Sequence, residues 1–434
     1  MGMRRVSTAA RLAALVAFVL LLGACAAGED EGSSAPIPPD DVAAADGPGA
    51  TTPGGGGSEA ASDDGSTEAG TAAGGTAAGE PIRIGVVGIM TGANAENGEF
   101  VRNGAQLAVD AINEAGGVVP AGESEGRPIE LVVEDDQATP DVGLNAITKL
   151  VSQDEVFAFL GPDFSGITFP SLQVAADAGV PQITSSIAKS ITEQGYDTIF
   201  RGRSNDETWI QATVDYLVEQ GAQDIALSYT NIELGQSGVD VAKQYMAEEY
   251  DLSPVAEVAH NAGDRDLSPV ASQLLLTEPD AIINWGTQIE ASLLVRELSA
   301  NGYEGEFAFN AADEIFTDLA QENAVGVIGP QNWVYTVEGP ASQEFATQYL
   351  ERFGRNPSPH SVVYYDGVQI LAHSIEEAGL DQAAVLEYLG GIESYDGVQG
   401  EFRPAELEAG EMITTTVIIE IGEDLAPRVV ETFE

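Results

Sequence analysis

The stretch IRIGVVGIMTGANAENGEFVRNGAQLAVDAINEAGG, residues 82–117, decides the architecture. Its opening IRIGVVGIM is a short apolar run that reads as a buried strand. A polar loop follows, and then the period changes from a continuous run to a helical repeat. Phe100, Gly104, Ala108, Ala111, Ile112 and Ala115 fall on one face, and Gly116-Gly117 supplies a helix stop. A buried strand followed at once by an amphipathic helix is the first half of a parallel crossover. The question is whether the unit repeats.

It does. IELVVEDD (129–136) is the next strand, and Thr139-Pro140 opens a helix through Ile147, Leu150 and Val151 as N-cap and first-turn proline. VFAFLG (156–161) and VPQITS (180–185) are strands separated by a helix through Leu172, Val174 and Ala175, and TIFRG (198–202) closes the series. A second series has the same rhythm. Its helices are ETWIQATVDYLVEQG (207–221), GVDVAKQYMAEEY (238–250), SPVASQLLLTEP (268–279) and EASLLVRELSANG (290–302). Its strands are DIALSY (224–229), VAEVAH (255–260), AIINWG (281–286) and EFAFN (306–310). GVIGPQNWVY (326–335), two helices (ASQEFATQYLERFG and SVVYYDGVQILAHSIEEAG) and a β-rich tail with TTTVIIEI complete the chain.

Strands alternating with helices imply right-handed crossovers and parallel sheets covered on both faces. The fold class expected is therefore α/β, with two doubly wound parallel-sheet lobes. The part from Pro81 onward, about 350 residues, also exceeds what one core usually accommodates. Open sheets of this kind bind ligands at the carboxyl ends of their strands. If those ends face each other, the cleft between the lobes is the binding site.

The first 25 residues differ. Arg4, Arg5 and Arg11 precede the apolar run LAALVAFVLLLGA, which is too short to span a bilayer comfortably and has the layout of a secretory signal. Leu22-Gly23-Ala24-Cys25 reads as the lipobox of bacterial lipoproteins, in which the cysteine is acylated and becomes the new N-terminus. Cys25 is the only cysteine, so no intramolecular disulfide can form, and it is read as a lipid anchor. Residues 26–80 are rich in Gly, Ala, Ser and Thr, carry acids, and have no Lys, Arg or aromatic residue. Such a segment cannot bury enough apolar surface to order itself, and as a tether it reaches about 40 Å.

Seventeen Lys and Arg stand against 70 Asp and Glu, a formal net charge of −53. The acids are spread along the chain as a solvated surface, which makes nucleic acid and anionic membrane surfaces poor partners. The excess points to function in high salt, where screening suppresses self-repulsion. A melting temperature indifferent to molar salt would contradict that expectation.

Several chemistries are absent. None of Lys149, Lys189 and Lys243 follows a phosphate-binding P-loop, GVVGIMTG lacks the G-x-G-x-x-G spacing, and no G-x-S-x-G elbow occurs. His260, His360 and His373 have no zinc-ligand spacing. Glu134-Asp135-Asp136 is read as a solvated strand end rather than a metal or acid/base cluster. No metal, cofactor or catalytic residue is expected, so the reading is binding without turnover.

The blocks from 82–117 onward, with IELVVEDDQATP, FLGPDFSGIT, GVPQITSS and ITEQGYDTIFRGRSND, resemble the branched-chain amino acid-type substrate-binding proteins of bacterial ABC importers, which are type I periplasmic binding proteins. The resemblance implies two lobes joined by three chain crossings, near FRGRSN, GPQNWV and VQGEFR. Lobe one would hold 81–201 and 332–398, and lobe two 202–331 and 399–434. It implies a monomer that closes on a small polar molecule (an amino acid, an amide or a related metabolite) and delivers it to a permease from outside the cell membrane. A ligand-sensing module for a separate signalling partner is the alternative.

Site residues follow from the same resemblance. Ser165, with Asp163 and Phe164 beside it, matches the serine that grips a ligand carboxylate, and Ser185 and Ser186 match the hydroxyls of the next loop. Asn97 stands where a tyrosine is frequent, Leu234 and Thr287 where cleft aromatics are usual, and Trp209 where a polar residue is common. The acid that would pair with an ammonium has Ala311 at its nearest position and Asp313 two residues on. These replacements argue against plain leucine or isoleucine. Trp285, Trp333 and Tyr335 read as core.

Overall fold

The computed structural model describes residues 79–92 and 94–433. Cys25 and the expected leader lie outside the described residues, as does the expected tether up to residue 78. Among the described residues no helix is long and apolar enough to cross a membrane.

The first sheet is built from β1 (Ile82–Gly88), β2 (Ile129–Asp135), β3 (Ala158–Leu160), β4 (Gln182–Thr184) and β5 (Ile199–Arg201), parallel and in the order β2-β1-β3-β4-β5. Between these strands run α1 (Ala95–Glu114), α2 (Pro140–Ser152), the single turn α3 (Ser165–Thr168) and α4 (Leu172–Ala178). One face of the sheet buries Ile147 and Leu150 of α2 and Ala175 of α4. The other packs on Phe100, Ala105 and Ala108 of α1. On α1 the expected stripe holds for Phe100, Gly104 and Ala108, while Ala111 and Ala115 near the helix end are exposed. Gly104 is where α1 meets a later helix, since a Cβ there would lie 2.0 Å from the Ser361 carbonyl oxygen.

The chain then enters a second sheet through α5 (Asp206–Glu219), whose cap Asn205 accepts a hydrogen bond from Thr208 N. There follow β6 (Ile225–Thr230), α6 (Glu233–Tyr250), β7 (Ala256–His260), α7 (Ser268–Leu275), β8 (Ala281–Trp285), α8 (Gln288–Ala300), β9 (Glu306–Phe309), α9 (Glu314–Ala320) and β10 (Ile328–Gln331). Alternation along the strands serves both faces. Leu227 and Ile283 pack on Ile210 and Val239 of α5 and α6, whereas Ala226 and Ile282 pack against Leu274, Leu294 and Phe316 of α7 to α9.

After β10 the chain returns to the first sheet with α10 (Pro340–Phe353), α11 (Pro359–Ala378) and α12 (Gln382–Gly390). Phe345, Tyr349, Val362, Val363 and Ile370 join the core of β1 and α1. A hairpin of β11 (Tyr395–Asp396) and β12 (Glu401–Phe402) precedes β13 (Thr416–Ile421) and β14 (Pro427–Phe433), which extend the second sheet in the order β14-β13-β10-β9-β8-β6-β7. β13 is antiparallel to β10, and β14 to β13, so this sheet is mixed.

Sequence periodicity does not indicate the single turn α3 or the helices α9 and α12; α9 and α12 each begin at an aspartate cap, Asp313 and Asp381, whose side chain accepts from helix amides. The boundary expected at residue 399 also needs correcting. Phe402, Met412 and Ile413 belong to the core of the first sheet and Val417 to that of the second, so the last crossing falls at 414–416. The cause is a contact distant in sequence: Arg201 N donates to Gly410 O at 2.7 Å, which ties the segment to β5.

Candidate functional site

Loops from the carboxyl ends of both sheets line a cavity of about 320 Å³. Asn94 comes from the loop after β1, Ala138 and Pro140 from that after β2, Asp163, Phe164, Ser165 and Ile167 follow β3, Ile187 follows β4 and Arg203 follows β5. From the second sheet, Leu234 follows β6, Thr287 and Gln288 follow β8, Asn310, Ala311 and Asp313 follow β9, and Gln331 ends β10. Trp209 of α5 and His360 of α11 complete the wall. Ligand pockets span roughly 300–1,000 Å³, so this one suits a small molecule.

The polar side is organised around His360. Ser358 caps α11, accepting from His360 N at 3.2 Å, and Pro359 follows it at the first helical position. The His360 imidazole Nδ1 lies 3.0 Å from Asp163 Oδ1, and its Nε2 lies 3.9 Å from Asp313 Oδ2. Asp163 also accepts from the Ser185 hydroxyl. Burial pushes the Asp163 carboxyl up, but the charges of His360 and Arg203 outweigh it and hold the group well below the usual carboxylate range. For His360, burial favours the neutral ring, and Asp163 reverses this, raising it to about 9. Asp313 accepts from Phe316 N at 3.0 Å as the α9 cap and from Gln288 Nε2 at 3.1 Å.

The loop at β3 depends on Gly161, where φ is +97° and a Cβ would meet the Val87 carbonyl oxygen at 2.3 Å. Close packing there brings Asp163 over the sheet end, beside Asp136. That aspartate corrects the reading of Glu134-Asp135-Asp136 as solvated. Glu134 is paired with Lys149, and Asp135 accepts from Met90 N and Gln137 N. Asp136 is fully buried, with Oδ1 accepting from Ala138 N and Oδ2 unpartnered; burial raises it to about 6. The sequence could not reveal this, because three successive acids at a strand end look alike until the loop folds over one of them.

Of the residues the sequence singled out, Asp163, Phe164, Ser165, Trp209, Leu234, Thr287 and Asp313 line the cavity. Asn97, Ser185 and Ser186 do not. Asn97 is buried in the first turn of α1, and Asn94, three residues earlier, faces the cavity instead. Ser185 donates to Asp163, and Ser186 is held between the Pro162 carbonyl and the Thr168 hydroxyl. Ser165 Oγ accepts from Ala188 N at 3.2 Å. Trp285 and Trp333 are buried core residues. Sequence reasoning missed Arg203 and His360. Two arginines within three residues, Arg201 and Arg203, in a chain this poor in bases were the available signal.

The family model described as periplasmic binding protein matches residues 81–424. An amino acid binding protein of Pseudomonas aeruginosa is 29% identical over 318 residues, covering 71% of this chain and 82% of that protein. The Leu/Ile/Val-binding protein homolog 1 of Brucella abortus is 26% identical over 319 residues, 72% of this chain and 82% of the relative. Among solved structures, the branched-chain amino acid transporter substrate binding protein LivJ of Streptococcus pneumoniae, in complex with isoleucine, superposes with a TM-score of 0.73 at 25% identity, covering 81% of this chain and 98% of LivJ. A solute binding protein of an ABC transporter from R. palustris, in complex with 4-hydroxybenzoate, gives a TM-score of 0.71 at 17% identity, covering 82% and 97%. Two sheets that turn their strand ends to one cavity, over a sequence matched along nearly all its described length, make this chain a member of the periplasmic binding protein family.

Proposed function

We propose that the chain is an extracytoplasmic solute-binding lipoprotein, anchored through Cys25, that captures a small polar molecule between its two lobes and delivers it to an ABC permease. The observation that carries this reading is the cavity wall, to which both sheets contribute through the loops at their strand ends. A solute touching both sides has a higher affinity for the arrangement in which they are close, and so shifts an open–closed equilibrium. A permease that recognises the closed arrangement then distinguishes loaded from empty protein. In this reading the protein binds without turnover, as the names of its relatives, amino acid binding protein and Leu/Ile/Val-binding protein, suggest.

Thermal-shift screening in high salt against amino acids, amides, ureas and aromatic acids tests this. A compound bound only by the folded state adds about 2.7 kcal/mol at a hundred times its dissociation constant, a shift of several degrees. At least one of these classes is expected to give it. A protein that responds to none of them, and releases no small molecule on denaturation, would contradict the proposal. The anchor is tested separately: Cys25→Ser is expected to move the protein from the membrane fraction to the soluble one.

A further inference from the structure

Two arginines flank one glycine at the end of β5, Arg201 as its last residue and Arg203 just beyond it, and they differ completely in how they are satisfied. Arg201 is fully buried and donates to the carbonyl oxygens of Ser186 and Ala188 and to Glu411. Arg203 is 5% exposed and lines the cavity, yet among the described residues no hydrogen bond or ion pair reaches its guanidinium, and its Nε is buried without a partner. Its neighbour is the Trp209 indole, 5.3 Å from the guanidinium carbon to the ring centroid, which gives the cation a π face but no acceptor oxygen. Asp163 lies near enough for the two charges to act on each other but makes no hydrogen bond to Arg203, and buried guanidinium donors left without an acceptor are costly, so the retention of this residue calls for an acceptor that arrives from outside.

Three carboxylates line the wall, Asp163, Glu233 and Asp313, and among the described residues none of them makes a hydrogen bond or ion pair with Arg203. Asp163 is engaged by His360 and Ser185, and Asp313 by the α9 amide and Gln288. Of the hydroxyls that the resemblance assigned to a ligand carboxylate, those of Ser185 and Ser186 are turned to protein partners, while Ser165 lines the cavity, accepts from Ala188 N and keeps its O–H to donate. Resting on the solute-binding reading above, we propose that Arg203 is the carboxylate receptor of this cavity, replacing Ser185 and Ser186, and that the solute is a small organic acid. The rest of the wall near it, Phe164, Ile167, Ile187 and Leu234, is apolar and receives the body of that acid. Guanidinium and carboxylate match as paired donors and acceptors, which fixes the acid group at Arg203 and leaves the apolar body among these four side chains.

The experiment compares acids with their own carboxamides on the full chain by calorimetric titration: leucine with leucinamide, benzoate with benzamide, and 4-hydroxybenzoate with 4-hydroxybenzamide. In the α-amino acid arm or the aromatic arm the acid is expected to bind about 100-fold tighter than its amide. Arg203→Gln is expected to remove that advantage while changing amide binding less than fivefold, and Arg203→Lys to restore part of it. Equal binding of acid and amide, or an acid affinity unchanged in Arg203→Gln, overturns the assignment. Should Arg203→Gln fail to fold, the wild-type comparison decides alone. If none of the six compounds binds, mass spectrometry of the molecule released on denaturation decides. A released acid supports Arg203 as receptor, and a released molecule without a carboxylate overturns it while leaving solute binding intact. The release of nothing overturns both.

Discussion

Arg201→Met is expected to destabilise the protein by about 3–5 kcal/mol, the usual cost of removing one partner from a buried ion pair. Arg201 ends β5 and is fully buried. Its Nε lies 3.2 Å from both oxygens of Glu411, which is itself 6% exposed, and its Nη2 donates to Ala188 O at 2.8 Å. Thr192 adds a hydroxyl bond to Glu411 at 2.6 Å. Methionine fills similar volume but strands the Glu411 carboxylate and the carbonyls of the loop after β4. Because Glu411 sits on the segment leading to the last crossing, the same change should loosen the joint between the halves. Urea unfolding provides the check. The double variant Arg201→Met/Glu411→Met is expected to recover much of the loss, while Arg428→Met, at an exposed pair, should cost under about 0.5 kcal/mol. An Arg201→Met midpoint indistinguishable from that of Arg428→Met would contradict the account.

Stability is also expected to rise as the pH falls from about 9 to about 5, the reverse of ordinary acid denaturation. Three buried carboxyls, Asp136, Asp206 and Asp366, are each raised to about 6, chiefly by burial. A carboxyl whose folded value lies above its unfolded one penalises the folded state once ionised. The penalty is complete above about 6 and gone below about 4. His360 acts in the same direction from the other side: raised to about 9, it contributes stability below its unfolded value near 6.5 and loses it as the pH climbs through 9. Asp163, held low, opposes only in strong acid, where its protonation removes the partner of His360. At about 1.4 kcal/mol per tenfold shift, the sum is on the order of several kcal/mol. Urea midpoints at pH 5 and pH 8.5, both in molar salt so that surface repulsion is screened, measure it. Asp136→Asn should stabilise the protein at pH 8.5 and flatten the dependence. A midpoint that is flat, or higher at pH 8.5, would contradict the burial argument.

Much of the fold was legible because its elements are long and periodic. The stretch from Ile82 to Gly117 carries a strand period, a helix period and a stop signal, and the second series repeats it. What escaped were elements held by a single cap, α9 and α12, and the segment 399–413, whose place is fixed by contacts to Arg201 far away in sequence. The site divides in the same way. Phe164, Ser165 and Leu234 stand in the loop, or in the first turn of the helix, that follows a strand, so topology alone carries them to the cavity. His360 reaches it from a helix N-terminus in the C-terminal part of the chain, about two hundred residues from Asp163, and no local pattern announces that pairing. Ser185 and Ser186 sit in the expected loop, but which way a hydroxyl turns depends on Asp163 and Thr168 beside it. Spacing does not encode that.

The most direct measurement is a crystal structure of the protein with the compound that raises its melting temperature. The account expects that compound between the two sheets, within contact distance of Asp163 or Arg203 on one side and of Leu234 or Thr287 on the other. A compound seated on the outer surface, or touching residues of one sheet only, would contradict it.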